Sequence, residues 1–114
     1  MLRDPLLGSI FENLVVIDVL KQRYNSGYDA NLYFFRDSNG NEIDLLCKTS
    51  SGLVGIEIKA AATWHGTFAK QLVRFATNNH PLYKSLVVYN GTELQLSNGV
   101  EAISYDNVVP ALQT

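Results

Sequence analysis

The stretch that most constrains this chain is Asn41 to Lys59. It reads Asn-Glu-Ile-Asp-Leu-Leu-Cys-Lys, then Thr-Ser-Ser-Gly, then Leu-Val-Gly-Ile-Glu-Ile-Lys. Two apolar runs of strand length around a polar turn containing Gly form a β-hairpin. Side chains alternate across a strand, so Glu57 and Lys59 share one face and Ile56 and Ile58 the other. With Thr49 to Gly52 as the turn and Lys48 facing Leu53, Asp44 falls opposite Glu57 and Glu42 opposite Lys59. Two carboxylates opposed on a sheet repel each other, so fold stability alone does not favour the pair. A bound divalent cation does, because hard oxygen ligands suit Mg²⁺ or Mn²⁺. A plainer reading stands beside it: one solvated strand face with alternating charge. Glu-x-Lys alone is a weak motif.

The flanking sequence supplies the elements that would cover this hairpin. Asp4-Pro5 suits a helix start, and Leu6 to Tyr24 has helical periodicity with apolar residues around much of its circumference. Such a helix is expected to be buried on most sides, ending at Asn25-Ser26-Gly27. Leu32 to Arg36 is a strand, and Asn39-Gly40 turns it into the strand Glu42 to Lys48. After the third strand, Leu53 to Lys59, a helix is expected from about His65 or Gly66 to Thr77. Its inner stripe is Trp64, Phe68, Leu72, Phe75 and Ala76, and Asn78-Asn79-His80-Pro81 breaks it. Strands at Ser85 to Tyr89, near Glu93 to Leu96 and near Val100 to Ser104 follow, with a last helical turn from Asp106 to Leu112. The order α-β-β-β-α-β-β-β-α predicts an α/β fold of the α+β type, a mixed central sheet flanked by helices.

At 114 residues the chain is one domain, and 46% hydrophobic content supplies a core. No apolar run reaches the roughly 20 residues that cross a bilayer, and Arg3, Asp4 and Pro5 do not begin a signal peptide. The single cysteine, Cys47, has no internal disulfide partner and reads as core filler in a cytoplasmic protein. A net charge of −2 argues against a nonspecific nucleic-acid binder. It leaves room for a nuclease whose metal supplies local positive charge. His65 and His80 lack zinc-ligand spacing, and no serine has the partners of a hydrolytic triad.

Two polar residues stand on otherwise apolar helical faces. Glu12 lies among Ile10, Phe11, Leu14 and Val15, one turn from Gly8, which leaves room beside it. Buried carboxylates are uncommon unless paired or ligating. Gln71 lies on nearly the same stripe as Trp64, Phe68 and Phe75. Each reads either as a helix-edge residue reaching solvent or as part of a site with Asp44, Glu57 and Lys59.

Glu12, Asp44, Glu57-x-Lys59 and Gln71-x-x-x-Phe75 together resemble the PD-(D/E)xK nuclease superfamily, in the order of its RecB-like branch. More closely, three segments resemble a bacterial and archaeal domain of unknown function found C-terminal to AAA-type P-loop ATPase domains. They are Gly8-Ser-Ile-Phe-Glu12-Asn-Leu-Val, Phe35-Arg-Asp-Ser-Asn-Gly-Asn-Glu-Ile-Asp44 and Gly55-Ile-Glu-Ile-Lys59. The likeness runs from Leu7 to about Leu112. It implies a restriction-endonuclease-like core and a chain that is the C-terminal part of a longer ATPase. It also implies Mg²⁺ or Mn²⁺ held by Asp44, Glu57 and Glu12. Lys59 would position water or stabilise developing charge, and Gln71 would orient water or contact a nucleic-acid backbone. Ile43 stands where the superfamily often has Pro, and Ala60-Ala61 follow the lysine where small polar residues are common. No Gly-x-x-x-x-Gly-Lys-Ser/Thr occurs, so these residues do not bind ATP. Three functions follow: a metal-dependent nuclease, a non-catalytic module binding nucleic acid or protein, or a structural domain with solvated acids.

Overall fold

The computed structural model describes the backbone of residues 5–25, 32–96 and 98–112. The helix cap expected at Asp4, the stop at Ser26-Gly27 and the space beside Gly8 lie outside the described residues. The elements are α1 (Pro5–Asn25), β1 (Leu32–Arg36), β2 (Glu42–Thr49) and β3 (Gly52–Ile58). A 3-10 turn (Gly66–Ala69) leads into α2 (Lys70–Asn78). Then come β4 (Lys84–Tyr89), β5 (Leu94–Gln95) and β6 (Val100–Ser104), and a second 3-10 turn (Tyr105–Asn107) precedes α3 (Val108–Leu112). The order is the one read from the sequence. The bounds differ by a residue or two, and each of the last two helices begins as a 3-10 turn.

The six strands form one mixed sheet in the order β1-β2-β3-β4-β6-β5. β1, β2 and β3 make an antiparallel meander. β4 then joins β3 in parallel and β6 joins β4 in parallel, with β5 antiparallel at the far edge. The parallel step from β3 to β4 requires a crossover, and α2 supplies it. Helices cover both faces. Val15 and Val19 of α1 pack with Leu45, Ile56 and Val88 on one side. Leu72 and Phe75 of α2 pack with Ile43, Leu46 and Val87 on the other. Removing one such Leu, Ile or Phe from water contributes about 1.5–3 kcal/mol, so the two cores hold the helices to the sheet.

Ile43 and Leu46 lie in the α2-side core, while Leu45 and Cys47 lie in the α1-side core. Residues three apart share a face only where alternation is interrupted. The interruption is a β-bulge. Tyr33 pairs with Leu46 and Phe35 with Ile43, so Phe34 alone faces Asp44 and Leu45. A bulge bends its strand and re-aims side chains, and this one presents Asp44.

The structure corrects the expectation that the first helix is enclosed on most sides. Val15 and Val19 are fully buried, but Ile10, Leu14 and Ile17 are 46, 47 and 46% exposed. The sheet covers one side of α1, and α3, five residues long, reaches only part of the rest.

At the end of β4, Gly91 fits under a tight constraint. A Cβ there would stand 2.6 Å from the Ala62 carbonyl oxygen and overlap the Tyr89 ring. Gly91→Ala is therefore expected to destabilise the fold by about 1–3 kcal/mol, measured by urea unfolding.

Candidate functional site

The β2–β3 ladder follows the expected register, from Thr49 opposite Gly52 through Lys48 opposite Leu53 to Leu45 opposite Ile56. One step further, where Asp44 meets Glu57, side chains take over from the backbone. The Asp44 N–H donates to Glu57 Oε1 at 3.0 Å. The Ile58 N–H donates to Asp44 Oδ2 at 2.8 Å. Each carboxylate thus accepts from the opposite strand, and the two strands part around a carboxylate pair.

Lys59 follows directly. Its N–H donates to the Val88 carbonyl at 2.9 Å, which holds the residue just past β3 against β4. Its ammonium lies 3.7 Å from Glu57 Oε2 and 5.9 Å from the centroid of the Phe68 ring, within cation–π range. A single lysine serves more than one acid, and the electrostatics show the imbalance. Glu57 is only 3% exposed. Burial, then the nearby Asp44 charge, pushes its carboxyl up to about 7, and Lys59 only partly offsets this. Burial also raises Asp44, against the Ile58 N–H and Lys59. Glu12 is raised by burial and then by Asp44.

The structure brings Asp44, Glu57 and Lys59 together. Glu12 joins from α1: it lines one cavity with Asp44, Glu42, Arg36 and Phe34. Gln71 is placed differently. It lines a separate cavity of about 220 Å³ with Asn41, Glu42, Ile43, Arg74 and Phe75, where Arg74 Nη1 donates to Asn41 Oδ1 at 3.1 Å. The two cavities share Phe35, Glu42 and Ile43. Sequence reasoning left Glu42 out of the site, although its charge raises Glu12, Asp44 and Glu57. Its spacing of two from Asp44 was the available signal. Across the sheet it also pairs with Arg36 at 3.0 Å.

The donor set suits a hard divalent cation in kind, since every acidic group here offers carboxylate oxygen. It is not a closed cage. Among the described residues no three His, Cys, Asp or Glu groups stand together as a metal site. Mg²⁺ does not need one, because it commonly binds through one or two carboxylates and keeps several waters. Asp44 Oδ1 and Glu57 Oε2 lie outside the backbone hydrogen bonds and would be the oxygens to hold it, Oε2 being the one the Lys59 ammonium faces at 3.7 Å.

A mixed α+β domain with a carboxylate pair and a lysine where its second and third strands part is the class that fold and site define. The chain belongs to the family described as Domain of unknown function (DUF4143), which it matches over residues 7–108. No curated protein and no solved structure matches the chain. No helix among the described residues is long and apolar enough to cross a membrane.

A carboxyl raised on folding binds its proton more tightly in the native state. Its stabilising contribution is complete below the unfolded value of 4.5 and is lost as pH rises through about 7. Urea unfolding in chelator should therefore show stability falling across that window. Glu57→Gln should flatten the fall and, above it, gain on the order of 3 kcal/mol over wild type.

Proposed function

We propose that this chain is a metal-dependent phosphodiesterase domain acting on nucleic acid with Mg²⁺ or Mn²⁺. The observation that carries the reading is the Asp44–Glu57 pair, held together where the strands part with Lys59 3.7 Å from Glu57. The two carboxylates cap backbone amides of the fold, yet their like charges repel, and a divalent cation would offset that repulsion. Asp44 and Glu57 would hold the ion, with Glu12 adding charge from α1. Bound there, the ion would supply an activated water and offset phosphate charge. Lys59, fixed by its backbone bond to Val88, would stand beside the negative charge that develops on the phosphoryl oxygens. Gln71, in the adjoining cavity, would contact the strand. The resemblance further supports reading the chain as the C-terminal part of an AAA-type ATPase in the cytoplasm, where a buried thiol such as Cys47 stays reduced.

A second reading, a binding module without turnover, is favoured by two observations. Both carboxylates already accept backbone N–H groups, and the described acids form no three-membered metal set. Calorimetry with Mn²⁺ and oligonucleotide cleavage separate the two. Wild type is expected to bind Mn²⁺, and Asp44→Asn to lose binding while keeping the fold. Lys59→Ala should keep Mn²⁺ binding and lower cleavage about 10²- to 10³-fold. Mn²⁺ binding by wild type with no cleavage selects the second reading. No Mn²⁺ binding at all rejects the phosphodiesterase.

A further inference from the structure

Phe34 is 75% exposed, the largest exposure among the described large hydrophobic residues. Its neighbours in β1 are accounted for: Leu32 packs against the α1-side core and Phe35 meets Phe75 edge-on at 5.0 Å in the other. Phe34 belongs to neither core. The bulge sets it across the strand from Asp44 and Leu45. With Glu12, Arg36, Glu42 and Asp44 it walls a cavity of about 330 Å³, within the roughly 300–1,000 Å³ of ligand pockets. The backbone irregularity that presents the carboxylate also presents the ring.

We propose that Phe34 is a stacking platform for an unpaired nucleobase, so that the substrate of the Asp44–Glu57–Lys59 site is single-stranded or looped nucleic acid rather than a closed duplex. The inference rests on the phosphodiesterase reading and names its substrate class. In a duplex both faces of each base are covered by neighbours, so an aromatic side chain stacks only on a base that has left its stack. An apolar protein segment fits the place poorly, because covering Phe34 would bury Glu12, Arg36 and Asp44 beside it at a cost in desolvation. A nucleotide presents a flat apolar face to the ring and polar groups to the rest. Arg36, shared with Glu42, brings a guanidinium to the same wall.

The test uses the full chain with Mn²⁺ and a labelled DNA oligonucleotide, either single-stranded or annealed to its complement. Phe34→Ala is expected to weaken single-strand binding roughly 5- to 150-fold, Phe34→Trp to restore it, and both to bind Mn²⁺ as wild type does. In Phe34→Trp, single strand should quench the new indole emission beyond the Trp64 baseline and duplex should not. Equal single-strand affinity in wild type and Phe34→Ala would overturn the proposal, and so would equal affinity for the two DNA forms. A wild-type dimer that Phe34→Ala converts to monomer would also overturn it, making Phe34 an interface residue between two copies. Mn²⁺ binding without any oligonucleotide binding rejects the platform and leaves the metal site standing. Oligonucleotide binding with indole quenching but no Mn²⁺ binding supports the platform and rejects the phosphodiesterase.

Discussion

Two backbone amides that would continue a β ladder are satisfied by carboxylates instead. The Asp44 N–H bonds to Glu57 and the Ile58 N–H to Asp44. Buried backbone donors need acceptors, and bonds to charged groups are worth about 1.5–3 kcal/mol each. The exchange lets β2 leave β3 without stranded donors. It also fixes both acids to within a hydrogen bond of the opposite strand. Lys59, held to Val88 of β4, and Glu12 of α1 stand around that parting of strands.

The parting coincides with two changes in the sheet. On the β1 side the bulge at Asp44 and Leu45 bends β2. On the other side β3 turns from an antiparallel neighbour to a parallel one. Sheets with parallel strands commonly place ligand sites beyond the carboxyl ends of strands where chain direction reorganises. Glu57 and Lys59 occupy that position on β3. A regular ladder would have put Asp44 on the same face as Leu46, toward α2.

Much of this geometry was legible in the sequence. Polar residues at Thr49 to Gly52 set the turn, and period-two alternation carried the register to Asp44 and Glu57. The bulge was not legible, because it arises from how β2 pairs with β1 rather than from β2 itself. Its trace is Leu45-Leu46-Cys47, three apolar residues in a row after the alternating Glu42-Ile43-Asp44. The exposure of α1 was hidden for a related reason. Apolar residues at Ile10, Leu14 and Ile17 show that a face can be buried, not that this domain supplies a surface to bury it. Helical spacing likewise put Gln71 on the inner stripe of α2. Which cavity that stripe lines depends on the crossover between β3 and β4.

The charge balance at the parted strands is uneven. Glu12, Asp44 and Glu57 all hold their protons more tightly than free carboxyls do, and burial is the leading cause in each. Lys59 alone does not cancel them. Apolar residues at Asp44 and Glu57 would relieve the repulsion, but they would leave the Asp44 and Ile58 amides without acceptors. A neutral amide pair would satisfy the hydrogen bonds and lack the charge. Carboxylates supply the acceptors and carry the repulsion, which a proton on Glu57 or an added cation relieves. Anything that binds the folded state alone stabilises it in proportion to the logarithm of its concentration over Kd. The proposed divalent cation would act in this way, relieving the repulsion among Asp44, Glu57 and Glu12.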